Sequence, residues 1–323
     1  MNYFLIKLRF DTAVHFGMSD TAQSLASSED HLHADTVFAA LCHTALQLYG
    51  EEGIEQLISW TREGKFLLSD TMPWREDAYY LPKPFILSDT RKELPTSQAK
   101  AMKKLPWIPV CSFREFSDSV HGGEPYDPGK YGASFGFQVE TTRIAVFDGA
   151  DALPYQVGLF RFAENCGLYL IVGLETKQQE TMLHGLMRTL GMGGIGGKIS
   201  TGCGKFHVEE IVLLNACADE QSTWLYRALT KKNGRYLLLS TSLPRAEELD
   251  GVLEGATYQL VRRSGFVASD TYAERPVKKK TQYFLQAGSV VPKRFEGDLY
   301  AVGSRGAHPV YRYGKPLFLG VDL

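Results

Sequence analysis

The residues best placed to do chemistry lie in a glycine-rich segment from Gly191 to Phe206. Seven of its sixteen residues are glycine, which leaves backbone N–H groups open to close approach by another molecule. Lys198 and Lys205 add positive charge, and the hydroxyls of Ser200 and Thr201 add hydrogen-bond donors. Such groups suit a sugar-phosphate backbone, whereas the simplest alternative is a flexible surface loop.

The order of elements around this segment excludes a dinucleotide site, although Gly191, Gly193 and Gly196 spell a GxGxxG. That motif follows a strand and opens a helix. Here apolar periodicity predicts a helix over 177–190 before the glycines, with Gly191 as its C-cap, and a strand over 206–214 after them. A P-loop is excluded because neither Gly-Lys pair is followed by Ser or Thr.

His31 and His33 have a spacing that could serve a metal ion, but no cysteine or carboxylate lies at a useful ligand spacing from them. We therefore predict no metal and no other cofactor. His33 is interpreted as a polar residue at the start of a helix.

Periodicity and turn residues predict the elements that position these groups. A first strand covers 3–10, an amphipathic helix covers 31–48, and short strands follow at 66–69 and 168–174. Together with the helix and strand around the glycines, they form a ferredoxin-like β-α-β, β-α-β unit.

Between its two halves, the proline-rich run from about 74 to 165 is predicted to be an insertion in which prolines break helices. It carries a projecting hairpin of strands 135–147 and 155–162. Lys100, Lys103 and Lys104 in this run are interpreted as solvent-exposed residues rather than RNA contacts.

Length and fold pattern predict an α+β protein of two domains. The first covers 1–215 and includes the insertion and the glycine-rich loop, 191–205. A polar stretch over 215–223 marks the boundary. The second, 216–323, has strands near 235–241, 257–263 and 278–291 and a short helix over 244–253. It is predicted to be a degenerate repeat of the first.

Composition narrows the class of protein. The chain is 44% hydrophobic and 22% charged, as in ordinary globular proteins, and it has no apolar run of membrane-spanning length. Its five cysteines form no CxxC, which favours a reducing cytoplasm and argues against zinc. The net charge is −2, but residues 262–315 hold eleven Lys/Arg against four Asp/Glu, so a polyanion is expected at the C-terminal half.

The glycine-rich loop, with Gly194-Ile195-Gly196 and Gly202-Cys203-Gly204 flanking a lysine, resembles that of the CRISPR RAMP proteins, an RRM-like branch of ferredoxin-like folds. Three features together resemble the family of the fourth subunit of the type III-A Csm complex. They are the HFG and HADTVFAALC segments near the start, the loop itself, and the basic C-terminal half ending in AHPVYRYGKP.

This resemblance implies tandem RRM-like RAMP domains, the first with a thumb-like hairpin. It also implies a non-catalytic subunit that holds the 5′ handle of crRNA. The implied partners are the large polymerase-like subunit and the backbone RAMP subunit of the complex, with no membrane. The RNA contacts predicted from the residues and the resemblance are His15, Phe16, Gly17, Gly194, Gly196, Gly197, Lys198, Ser200, Thr201, Gly202, Gly204, Lys205, Arg262, Lys278, Lys279, Lys280, His308, Tyr311 and Arg312.

Three further expectations concern individual side chains. Arg262 and Arg263 adjoin on a strand, so they should point to opposite faces. Phe16, Tyr272, Tyr311 and Tyr313 could stack on bases or lie in the core. Asp35 matches the place of a catalytic aspartate in backbone RAMP subunits, but we interpret it as a helix-capping residue.

Two other functions stay open. Related RAMP proteins process precursor crRNA without metal through a histidine general acid or base, for which His15, His31 and His33 are candidates. A ferredoxin-like interaction module without RNA is the third hypothesis.

Overall fold

This computed structural model describes residues 1–17, 25–86, 96–145, 152–269, 271–303 and 306–323. In chain order its strands and helices are β1 (Asn2–Phe10), α1 (Ala34–Arg62), β2 (Phe66–Leu68), β3 (Met72–Arg75), β4 (Ala78–Pro82), α2 (Thr96–Lys104), β5 (Trp107–Pro109), α3 (Phe113–Val120), α4 (Pro128–Tyr131), β6 (Gly136–Ala145), β7 (Leu153–Phe162), β8 (Cys166–Leu174), α5 (Lys177–Gly193), β9 (Phe206–Leu213), α6 (Glu220–Thr230), β10 (Arg235–Leu238), α7 (Leu249–Leu253), β11 (Leu260–Arg263), β12 (Gln282–Leu285), β13 (Val290–Val291), β14 (Leu299–Ala301), β15 (Tyr311–Tyr313) and β16 (Phe318–Val321).

A seven-stranded antiparallel sheet forms the centre of the molecule. Its strand order is β5-β4-β3-β8-β1-β9, with β2 also pairing with β8. The elements β1, α1, β2, β8, α5 and β9 follow one another in the β-α-β, β-α-β order predicted for the first unit. All nine residues of β8 are buried, as expected for a strand covered on both faces.

The two faces of this sheet bury different partners because side chains alternate along a strand. On β1, Phe4 and Ile6 pack with α1 and α5, whereas Tyr3 and Leu5 point to the opposite core. The helices belong to the first unit, so the opposite face must be covered from elsewhere in the chain.

The C-terminal part of the chain supplies that cover. β13, β10 and β16 form a three-stranded antiparallel sheet, against which α6 packs. Leu237 of β10 and Leu319 of β16 share one core with Leu5 and Ile171 of the central sheet. The two predicted halves of the chain are therefore joined by a common hydrophobic core.

The predicted hairpin is confirmed, since β6 and β7 pair from Gly136–Phe162 to Ala145–Leu153. The rest of the insertion differs from the prediction. β3, β4 and β5 extend the edge of the central sheet, and α2, α3 and α4 form despite the prolines. The polar stretch over 215–223 contains the start of α6 rather than a linker alone.

One further difference concerns a helix. α1 continues past the predicted end to Arg62, with a break in helical backbone angles at Gly50. Of the helices in the described ranges, none combines the length and apolar character needed to cross a bilayer.

Candidate nucleic-acid interface

α5 carries the glycine-rich loop at its C-terminal end. A capping box of Thr176 and Gln179 fixes the first turn of the helix. The helix then continues through Gly191, which the sequence had predicted as its C-cap, and ends at Gly194 with φ of 93°. Gly191 is needed because a Cβ there would collide with the Phe206 carbonyl of β9.

The two ends of the loop are held to the rest of the protein by hydrogen bonds from their backbone amides. Ile195 N–H donates to the Gly204 carbonyl at 3.0 Å, and Gly204 N–H donates to the Ala13 carbonyl at 2.9 Å. Gly197 N–H donates to the His15 carbonyl at 2.8 Å. These amides hold the loop in shape and are therefore unavailable to a ligand.

The tip of the loop, residues 196–202, is more open. Lys198 adopts a left-handed conformation with φ of 60° and leads into a 3₁₀ turn over Ile199–Thr201. Ser200 and Thr201 are exposed, as is Lys205 beyond the tip, and Ile199 is 47% exposed. Within the described part of the chain, the N–H groups of Gly196, Lys198, Ile199 and Ser200 have no hydrogen-bond acceptor. Only these amides, and not those of the whole loop, can reach a ligand.

The segment after β1 lies directly beneath this loop. His15 is 7% exposed, and its Nδ1 lies 2.7 Å from the Gly158 carbonyl on β7. A Cβ on Gly197 would collide with the His15 ring, so the glycine allows the two to pack. Gly17 is exposed with open space around it.

The position of Phe16 contradicts its prediction as an RNA contact. Its ring is 2% exposed and packs edge-on against Phe10, with ring centroids 5.9 Å apart. In this conformation the ring cannot stack on a base. Its backbone N–H is also occupied, by Ser28 Oγ at 2.9 Å.

The loop also touches the hairpin. Lys198 Nζ lies 5.5 Å from the centre of the Tyr155 ring on β7, within reach of a cation–π interaction. The loop tip and the part of β7 near the hairpin turn therefore form one continuous surface.

A second cluster surrounds Asp35 in the first turn of α1. Arg263 binds the Asp35 carboxylate in a bidentate manner at 3.0 and 2.7 Å, and Arg312 Nε lies 3.6 Å from it. Burial opposes ionisation, but the arginines outweigh it and lower the pKa of Asp35. Asp35 does not cap the helix, because His33 is the N-cap residue.

The position of Arg312 likewise contradicts its prediction as an RNA contact. It is 4% exposed, and its guanidinium donates to the carbonyls of Arg263 and Lys280 at 3.0 and 2.9 Å and to that of Ser264 at 3.1 Å. These hydrogen bonds connect β15 to the end of β11 and to the segment between β11 and β12. Arg312 therefore has a structural role in this conformation.

Asp70 is the residue that sequence reasoning missed. It is 2% exposed, and it accepts hydrogen bonds from Ala34 N–H at the start of α1 and from the Thr241 N–H at 2.8 and 2.7 Å. His33 Nδ1 lies 3.0 Å from its second oxygen. Burial opposes ionisation, but these partners lower the pKa of Asp70. Asp70 thus caps α1 and links it to the C-terminal part.

The other predicted basic contacts lie around this second cluster. Arg262, Lys278 and Lys280 are exposed, and Arg262 points away from Arg263 as predicted. Lys279 is half-buried near Asp35, and burial lowers its pKa.

Two further predicted contacts are partly engaged within the protein. His308 is exposed and lies 2.9 Å from Ser269 Oγ. Tyr311 is half-buried beneath the Arg62 guanidinium at 4.8 Å. Tyr272 and Tyr313, at 4% and 0% exposed, belong to the core.

Three potential ligands among the described residues lie within 4.8 Å of one another, namely Glu29, Asp30 and His31. His31 Nδ1 is already 2.8 Å from Asp30 Oδ1, and His33 is engaged by Asp70 and Thr241. The two histidines whose spacing could have served a metal ion are therefore each engaged by a different carboxylate, Asp30 for His31 and Asp70 for His33.

Comparison with known proteins places this geometry in a family. Residues 231–321 match the CRISPR Csm4 C-terminal domain. A CRISPR system Cms protein Csm4 from Mycobacterium tuberculosis is 34% identical and aligns over 99% of this chain and 98% of its own length. The Streptococcus thermophilus Csm4 is 28% identical over the full length of both chains.

Solved structures agree on the fold. A Csm1–Csm4 cassette in complex with pppApA matches with a TM-score of 0.65 and 20% identity, covering 100% of this chain and 99% of the other. A Csm3–Csm4 subcomplex of the type III-A interference complex matches with a TM-score of 0.65 and 18% identity, covering both chains fully.

The fold and the glycine-rich loop define a RAMP subunit of a CRISPR effector complex. Within that class, the chain belongs to the Csm4 family of the type III-A Csm complex. The family predicted from the HFG, HADTVFAALC and loop segments is confirmed.

Proposed function

We propose that this chain is the RNA-binding subunit that holds the 5′ handle of crRNA in a Csm complex. The observation that carries this proposal is the loop tip, where the half-buried Lys198 and four backbone amides without an acceptor among the described residues stand on a base fixed by hydrogen bonds, with the exposed Lys205 just beyond them. Such a rigid, positively charged set of donors can grip phosphates without being ordered first.

The test reverses the charge of the loop through Lys198→Glu combined with Lys205→Glu. We expect retention of crRNA by the complex to fall at least about tenfold. The dependence of log affinity on log salt should also become shallower by about 0.7 for each lost contact with single-stranded phosphate. A matched control is Lys65→Glu with Lys177→Glu, since both lysines are exposed and lie away from the loop. Unchanged retention in the loop variant would refute the assignment.

We further propose that the chain is not an enzyme. Each candidate for chemistry already has a protein partner. His15 contacts Gly158, His31 contacts Asp30, His33 contacts Asp70, and Asp35 contacts Arg263. Precursor repeat RNA incubated with the protein in chelator should stay intact. Discrete cleavage that disappears in His15→Ala or His33→Ala would instead establish the processing endoribonuclease.

We propose that the chain bridges the large subunit and the backbone RAMP subunit, since solved Csm4 structures include one with Csm1 and one with Csm3. Co-expression with each partner and co-purification tests this.

We also propose that residues 216–323 are a degenerate ferredoxin-like repeat, which the sheet β13-β10-β16 supports. A cytoplasmic location stays a prediction.

A further inference from the structure

A cleft of about 720 Å³ separates two parts of the chain that the functional assignment does not use. Residues 82–86 and 103–107 line one side, and residues 256–259 and 286–287 line the other. His31 and Asp70 also line it, and the His31 ring lies edge-on to Trp107 at 5.2 Å. The cleft is thus bounded by aromatic and polar groups from both halves of the molecule.

The charged side chains that line this cleft are mostly basic. Lys103 and Lys104 are exposed in the last turn of α2, and neither forms a salt bridge within the described ranges. Lys83 Nζ donates to the Met102 carbonyl at 2.5 Å and so ends α2 beside them. The one acidic lining residue, Asp70, is buried and already bound by its own partners. An anionic ligand would meet uncompensated positive charge here.

His31 adds no net positive charge to the cleft, because its Nδ1 is paired with Asp30 Oδ1 at 2.8 Å. Burial alone would lower its pKa, but the hydrogen bond to Asp30 and the neighbouring carboxylates of Asp70 and Glu29 outweigh burial and raise it. The positive charge available to a ligand is therefore that of the lysines.

The ribbon β11–β12 continues from one wall of the cleft. On β11, Leu260 and Arg262 project on one side because alternate residues of a strand share a face, and Tyr258 lies two residues before this strand begins. Tyr283 lies opposite Arg262 on the paired strand. Tyr258, Leu260 and Tyr283 are 41%, 56% and 57% exposed. Tyr258 itself lines the cleft, so the exposed aromatic face and the lysines form one surface.

The opposite face of the ribbon is fixed to the protein. Phe284 is fully buried, and Arg263 is held by Asp35. The exposed tyrosines therefore stand on an anchored platform rather than on a loose loop.

From these observations we propose that the cleft and the outer face of β11–β12 form a second binding surface for single-stranded RNA. Tyr258 and Tyr283 stack on bases. Lys103 and Lys104, which the sequence led us to interpret as solvent-exposed residues rather than RNA contacts, bind phosphates. Exposed aromatic side chains beside a basic groove are the composition that single-stranded nucleic acid requires. The inference rests on the proposed RNA-binding function and adds to it residues outside the glycine-rich loop.

A protein partner fits this surface less well. Lysine is depleted in the cores of protein interfaces, whereas the described charged residues of this cleft are dominated by it. An RNA strand can use the lysines and the tyrosines together.

The test measures anisotropy of a fluorescein-labelled single-stranded RNA carrying the CRISPR repeat, bound to the purified full chain over a salt series. Each of Tyr258→Ala and Tyr283→Ala should weaken binding about 5- to 150-fold with an unchanged salt slope. Tyr258→Phe and Tyr283→Phe should bind like the parent, because stacking needs the ring and not the hydroxyl. Lys103→Ser with Lys104→Ser should make the slope shallower by about 1.4.

Tyr49→Ala is the matched control, since Tyr49 is 46% exposed on α1 and lies outside this surface. If the tyrosine and lysine variants bind RNA like the parent while the loop variant Lys198→Glu with Lys205→Glu does not, the second surface is refuted and the proposed function stands. If even the parent chain fails to bind the RNA, the proposed function fails as well. Loss of a partner subunit with unchanged RNA binding would identify a protein interface and also overturn the proposal.

Discussion

Two buried carboxylates, Asp35 and Asp70, organise the start of α1, and they differ in how far the sequence could predict them. Asp35 was recognisable as a structural residue from its place near a helix start. Its true partner, Arg263, is 228 positions away, so no local spacing could reveal it. The role of Asp70 could not be predicted for the same reason, because its hydrogen-bond donors come from α1 and from Thr241 after β10.

Replacing Asp35 tests its structural role. Asp35→Asn leaves two arginines without their counter-charge in a buried site, which we expect to lower the free energy of unfolding by about 3 kcal/mol. Urea denaturation followed by circular dichroism measures the change. Glu209→Gln is the control, because its salt bridge with Arg9 is more exposed and should contribute less than about 1 kcal/mol. Equal stability of Asp35→Asn and the parent would contradict the structural role.

The same two carboxylates predict a dependence of stability on acidity. Both have a pKa in the folded state below the 3.8 of an unperturbed aspartate. Their contribution to stability is therefore complete above about pH 4 and is lost as pH falls through the lowered values. The urea midpoint should decline as pH falls below about 4, and Asp70→Asn should flatten that decline. A variant that follows the parent's profile would show that Asp70 does not contribute.

At the level of single elements, the strands and long helices were predictable because their periodicity is strong. The helices that sequence reasoning missed have clear physical reasons. α2 ends at Lys104, before Pro106, and α4 begins with Pro128 at its first position, so these prolines bound helices instead of breaking them. The polar residues before α6 include its N-cap, Asp219, which accepts from Ser222 N–H at 2.9 Å.

The candidate site was predictable only in part. The loop was located by its glycines, but which amides stay open depends on contacts with β1 and its following segment. Tyr283 could not be selected because its exposure follows from the pairing of β11 with β12, and no local pattern marks Tyr258, which precedes β11, as exposed. Phe16 was wrongly predicted as an RNA contact because the sequence does not show whether an aromatic residue next to a site faces solvent or the core.

The glycines of the loop should respond differently to alanine. Gly204 has φ of 78°, and a Cβ there would collide with the Ile195 carbonyl. Gly204→Ala should therefore lower the free energy of unfolding by more than the left-handed backbone alone would. Gly202 has φ of 86° but open space around it, so Gly202→Ala should lower the free energy of unfolding by only about 1–2 kcal/mol. Thermal unfolding measures both.

Gly193→Ala is the control, because Gly193 lies in α5 without a positive φ, and no atom lies within 4 Å of the place that a Cβ would take. It should be neutral or slightly stabilising. Equal losses at Gly193 and Gly204 would contradict the loop geometry.

For the molecule as a whole, the shared core means that the two halves should unfold together. Leu319 is fully buried against the central sheet, so Leu319→Ala should lower the free energy of unfolding by about 2–5 kcal/mol. Tryptophan fluorescence reports mainly on the first half, which holds Trp60, Trp74 and Trp107, and circular dichroism reports on both. The two signals should shift together in the variant. Separate transitions would show that the halves are independent domains.

That common core also constrains synthesis on the ribosome. β8 is complete at Leu174, but the strand that covers its outer face ends at Val321. At ~5–20 residues per second, translation leaves this apolar face waiting roughly 7–30 s for its cover. During that interval the nascent chain presents a bare hydrophobic sheet, which makes it a natural client for chaperones and a hazard for premature aggregation.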